Sequence, residues 1–104
     1  MLENHYPVVV TGPGKTRQVL AHNAEMMLVS FRFEAGTEGA LHSHPHIQST
    51  YIRSGRFEFY RGSETLILGP GDAVAIDAHV PHGCRCLEAG ELIDSFTPRR
   101  DDFL

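Results

Sequence analysis

Apolar and polar residues alternate along this chain in short stretches, and nearly every stretch is stopped by glycine, proline, asparagine or aspartate. A period of two is the signature of extended strands, whose successive side chains point to opposite faces. Met27, Val29, Phe31 and Phe33 share one such face. No window of a dozen residues carries the i, i+3, i+4 apolar stripe that a helix needs. The pattern predicts strands over Val8–Val10, Thr16–Ala21 and Met26–Phe33, then Gln48–Arg53, Arg56–Tyr60, Thr65–Leu68 and Ala73–Ile76. Gly83–Glu88 and Leu92–Phe96 follow, while Glu34–Gly39 reads as a loop. The breaks fall at Gly12-Pro13-Gly14, His22–Glu25, Ser54-Gly55, Gly62-Ser63 and Gly69–Asp72. Eight or nine short strands of this kind predict an all-β, single-domain β-barrel of the double-sheet jelly-roll type over residues 1–104.

The chain has 104 residues and a formal charge of −4, so it offers no basic field for nucleic acid. Its apolar runs, such as Ala73–Ile76, are far too short to span a bilayer. The opening Met-Leu-Glu-Asn-His-Tyr-Pro lacks a basic stretch followed by an apolar one, which points to a cytoplasmic protein without a signal peptide. Cys84 and Cys86 stand two apart in one predicted strand and read as reduced, buried fillers.

Chemistry concentrates in the histidines. His42 and His44 alternate around Ser43, Gln48 follows four residues later, and His82 stands far downstream behind Pro81. Neutral imidazoles and an amide oxygen are good ligands for a borderline divalent ion, and two separate strands converge on one ion only in a rigid barrel. Gly36, five residues, His42-x-His44, three residues, Gln48, six residues and Gly55 resemble the first cupin motif, with glutamine where glutamate is usual. Pro70-Gly71-Asp72 followed by Val80-Pro81-His82 resembles the second. The chain is thus similar to cupins, and the likeness implies a cupin β-barrel holding one divalent metal through His42, His44, Gln48 and His82. The donor set accepts zinc, nickel, manganese or iron alike. A neutral glutamine leaves the ion its full charge, which favours Lewis-acid chemistry over oxygen activation. His46 is expected beside the site, His79 at its mouth, and His5 and His22 on the surface.

In the last predicted strand Asp94 shares a face with Leu92 and Phe96. If that face is interior, the carboxylate must be paired or used. His42-Ser43-His44-Pro45-His46-x-Gln48, the Val-Pro-His-Gly of residues 80–83 and the ending from Asp94 to Leu104 resemble the cupin-type pectin degradation proteins. Ile47, where an acidic residue is expected, and Arg99, where a proline often stands, depart from that pattern. The resemblance implies a metal-dependent enzyme that opens the ring of 4,5-unsaturated uronates to linear 4-deoxy-5-keto sugars. It assigns catalysis to Asp94, Phe96 and Arg100: proton carrier, packing surface and carboxylate clamp. The expected partner is a small sugar acid. A metal-dependent dioxygenase and a sugar-binding module that acts without chemistry are the rival readings. Small cupins often pair, and a homodimer using Tyr6–Val10 is expected.

Overall fold

In the computed structural model, which describes residues 6–104, eight strands form one antiparallel sheet that folds back on itself. They are β1 (Val8–Gly12), β2 (Lys15–His22), β3 (Met27–Phe33), β4 (Glu38–His42), β5 (Ile47–Arg61), β6 (Glu64–Leu68), β7 (Ala73–Ile76) and β8 (His82–Thr97). A short 3-10 segment, Asp101–Phe103, follows. Among the described residues no helix is long and apolar enough to cross a membrane.

Two long strands organise everything else. The first part of β8 pairs β4 on one side and the second part of β5 on the other, beside β6. The second part of β8 lies between β3 and the first part of β5, which also pairs β7. One leaf is therefore β1-β2-β3-β8-β5-β7 and the other β4-β8-β5-β6, with β5 and β8 running through both. The sequence pattern had divided each of these strands in two, and had taken the start of β4 for loop. Glycine and charged residues at the bends suppress the alternation, whereas the cross-strand hydrogen bonds continue past them.

The bend is built by close backbone contact. Inward residues of β5 are Gln48, Thr50 and Ile52 before it, and Phe57 and Phe59 after it. That change of parity needs a bulge, and the register breaks repeatedly between Ile52 and Phe57. Gly55 supplies it with φ +80°, a left-handed conformation costly for any residue with a Cβ. A Cβ on Gly90, across from it, would lie 2.0 Å from the Ser54 carbonyl oxygen. No rotamer change relieves a clash between a Cβ and backbone. Gly90→Ala is expected to cost about 3 kcal/mol or more, at the upper end for overpacking. That corresponds to a melting temperature lower by more than roughly 10 °C. Melting within about 2 °C of the parent would show that the two strands do not touch in this way.

The faces of the two leaves close over one core of Phe33, Ile52, Phe57, Phe59, Leu68, Ile76, Cys84, Cys86 and Leu92. A second cluster, Val19, Met27, Val29 and Phe96, fills one end, and Phe31 packs against both. Cys84 and Cys86 are free thiols within this core, as expected of fillers, and burial pushes Cys84 up to about 12. A cavity lies between residues of the two clusters, and His42, Gln48, His82 and Asp94 open onto it.

Candidate metal centre and adjoining cavity

His42 ends β4, His82 begins β8 directly across from it, and Gln48 faces inward near the start of β5. His44 lies beyond β4 in the connection to β5, so strand alternation does not aim its ring. Its loop is braced instead: the His79 amide donates to the His44 carbonyl at 2.8 Å, with His79 itself exposed in a left-handed conformation (φ 67°). The nitrogens of His42, His44 and His82 lie within 4.8 Å of one another. His44 and His82 are buried, whereas His42 is open to solvent.

Each ring is oriented from behind. The Nδ1 atoms of His42, His44 and His82 lie 2.7, 3.0 and 2.9 Å from the carbonyl oxygens of Ala40, His46 and Val80. A carbonyl only accepts, so each Nδ1 carries the proton and each Nε2 presents a lone pair. Burial holds His44 below the usual imidazole range and pushes His82 down to about 4, which keeps these two rings neutral near pH 7. Their Nε2 atoms stand 3.0 and 3.1 Å from the Gln48 side-chain oxygen. The Gln48 amide nitrogen points away, donating to Thr50 Oγ1 at 2.9 Å. Three lone-pair atoms thus face one another with no proton between them, an arrangement that repels itself unless a cation sits at its centre. Nitrogen and oxygen donors of this kind suit a divalent transition metal, so the residues fit the group. His42 completes the cluster of four side chains.

Asp94 is held next to this cluster by register. Thr50 and Asp94 are directly paired across β5 and β8, and Thr50 Oγ1 donates to Asp94 Oδ1 at 2.6 Å. Leu92, Asp94 and Phe96 are all buried while Ile93 and Ser95 are half-exposed, so the interior face is the one expected. Burial pushes the Asp94 carboxyl up to about 7, although the hydrogen bonds from Thr50 and Gln48 and the charge of Arg100 oppose this. A carboxyl poised there can take or give a proton near neutrality.

Asp94, Gln48, His42 and His82 open onto a cavity of about 250 Å³ whose other walls include Phe31, Phe96, Phe103 and Arg100. Arg100 stacks its guanidinium over Phe103 and Phe96, at 4.3 and 5.1 Å from the ring centres. Its Nε and Nη2 donate to the two Asp102 oxygens at 3.0 and 2.8 Å. One edge of the fork is therefore engaged within the chain, which the sequence did not indicate.

His46 stands beside His44, half-buried, its ring 5.4 Å from that of His44. His22, expected on the surface, is half-buried, and its Nε2 lies 3.0 Å from the Tyr6 hydroxyl. Pairing of β2 with β3 carries it against Tyr6, a long-range consequence that local polarity does not reveal. His5 lies outside the described residues. No motif marks Thr50, Asp102 or Phe103 as part of the site. Thr50 shares strand parity with Gln48 and was legible in principle, but it takes the 3-10 turn after β8 to bring Asp102 to Arg100 and Phe103 to the cavity wall.

Residues 29–95 match the family model described as a cupin domain. The pectin degradation protein KdgF of Dickeya dadantii is 35% identical over 105 residues, covering 99% of this chain and 96% of that protein. The structure of KdgF from a Halomonas species superposes with a TM-score of 0.91 at 38% identity, covering 95% of this chain and 94% of that one. An RmlC-like cupin from Shewanella frigidimarina gives a TM-score of 0.92 at 37% identity, covering 96% and 90%. Matched along nearly its whole length, in sequence and in backbone, the chain belongs to the cupin family and, within it, to the KdgF group of pectin degradation proteins.

Proposed function

We propose that the protein is a metal-dependent enzyme of pectin breakdown that opens the ring of 4,5-unsaturated uronates. The observation that carries this reading is Asp94, a buried carboxyl poised near pH 7, hydrogen-bonded toward a cation-demanding cluster at the wall of a small aromatic cavity. His42, His44, His82 and Gln48 would hold the ion, which would supply Lewis-acid stabilisation of developing negative charge. The substrate is a hemiacetal whose ring oxygen also belongs to an enol ether. Asp94 takes the proton of the anomeric hydroxyl, the bond from the anomeric carbon to the ring oxygen breaks, and an aldehyde and an enolate result. Asp94 returns the proton to the enolate carbon, leaving a 5-keto sugar, so no atom is gained or lost. Arg100 binds the substrate carboxylate, with Asp102 holding the opposite edge of its fork. Phe96 and Phe103 pack against the sugar and keep water from the enolate.

The direct test is to add metal-loaded protein to lyase-generated unsaturated galacturonate and follow the ultraviolet absorbance of its double bond. Rapid decay is expected, and decay no faster than in buffer overturns the reading. Assembly is proposed alongside. Among the described residues β1 pairs only with β2, and Val8, Val9 and Val10 are all exposed on it, an apolar edge that a second copy covers in a homodimer. Light scattering at micromolar concentration is expected to give twice the chain mass; a monomer rejects the pairing.

A further inference from the structure

We propose that Thr50 is a positioning residue whose single hydroxyl sets both the metal-facing side of Gln48 and the orientation of Asp94. The inference rests on the reading of Gln48 as a metal ligand and Asp94 as the proton carrier. A threonine hydroxyl has one proton to donate. The Gln48 amide nitrogen can only donate, so at 2.9 Å Oγ1 must accept from it. The one proton is left for Asp94 Oδ1, 2.6 Å away. The chain of bonds therefore runs one way, from amide to hydroxyl to carboxylate. Thr50 is wholly buried and Gln48 and Asp94 nearly so, so water does not replace a lost partner cheaply.

The direction matters because the amide has a competing arrangement. Turned over, its NH2 group would donate to the lone pairs of His44 and His82, satisfying both rings without a metal and blocking the ion. The oxygen would then demand the Thr50 proton, and Asp94 would lose it. The present arrangement keeps Asp94 supplied and presents the Gln48 oxygen, 3.0 and 3.1 Å from the two imidazoles, to an incoming cation. The same chain accounts for glutamine at position 48. A glutamate there would compete with Asp94 for the one hydroxyl proton.

The test compares Thr50→Val, which keeps the shape and removes the hydroxyl, with Thr50→Ser, which keeps the hydroxyl. Zinc affinity of metal-stripped protein is measured by competition with a chromophoric chelator, and kcat with unsaturated galacturonate. Thr50→Val is expected to bind zinc about 10–100-fold more weakly and to lose kcat. Thr50→Ser is expected within about 3-fold of the parent in both, well below that range. Parental zinc affinity in Thr50→Val, or equal impairment in Thr50→Ser, overturns the proposal. Should Thr50→Val not fold, Gln48→Glu decides. It is expected to hold zinc at least as tightly while kcat falls, and parental kcat in that variant overturns the proposal. Zinc affinity needs no substrate, so a parent that binds zinc but leaves the uronate untouched defeats the proposed function alone.

Discussion

Asp94→Asn is expected to keep the fold and the metal and to lose about 10²–10⁴-fold in kcat, the range that a positioned acid–base group contributes. Asparagine preserves the volume, and its oxygen still accepts the Thr50 hydroxyl, so the bond at 2.6 Å has a counterpart in the variant. What it cannot do is carry a proton. The loss should therefore appear in kcat, with KM little changed, because Asp94 acts on the bond being broken and not on the sugar as a whole. Zinc content by elemental analysis and KM on unsaturated galacturonate separate this from damage to the site. An Asn variant with parental turnover removes Asp94 from the mechanism, whatever becomes of the metal cluster.

His42→Ala should have the other large effect, through the ion. His42 is the exposed member of the cluster, held from behind by the Ala40 carbonyl, and it takes no part in either apolar cluster. Removing its ring leaves no large void, so circular dichroism should match the parent. Metal affinity should fall beyond the roughly 10–100-fold typical of disturbing a ligand's hydrogen-bond partner, because here the ligand itself is gone. Activity should follow metal content and return in part at high added zinc. If His42→Ala binds zinc as the parent does, the cluster of His42, His44, His82 and Gln48 is not the metal centre. Paired with Asp94→Asn, the two variants separate loss of the ion from loss of the proton carrier.

Much of the site was legible in the chain because it is written in local spacing. His42, His44, Gln48 and His82 were picked out because their intervals, with the glycines and prolines between them, resemble the cupin motifs, and the structure brings their side chains together. Parity put Leu92, Asp94 and Phe96 on one face, and the structure turns that face inward. His44 shows the limit of that argument. It lies outside β4, so its alignment with His42 comes from the His46 and His79 backbone contacts and not from alternation. The polar break expected at His22–Glu25 is present but starts one residue later, since His22 still belongs to β2, and in it the Asn23 side chain accepts from the Glu25 and Met26 amides. The burial of His22 itself was not foreseen.

What the sequence by itself determined is what a period of two and the chemistry of single residues can encode: strands, turns, two opposite faces, and a set of nitrogen and oxygen donors suited to a divalent metal. Tertiary structure alone decided which strands are continuous and what meets across them. β5 and β8 pass unbroken through Gly55 and Gly90 because two backbones approach where a side chain would not fit. That approach sets the register that places Thr50 opposite Asp94, residues 44 apart in the chain. The C-terminal turn brings Asp102 to Arg100 and Phe103 to the cavity wall. Local alternation is fixed by neighbours along the chain, whereas register is a property of two strands at once. A one-residue slip turns every side chain to the other face, and only packing of the whole core excludes it.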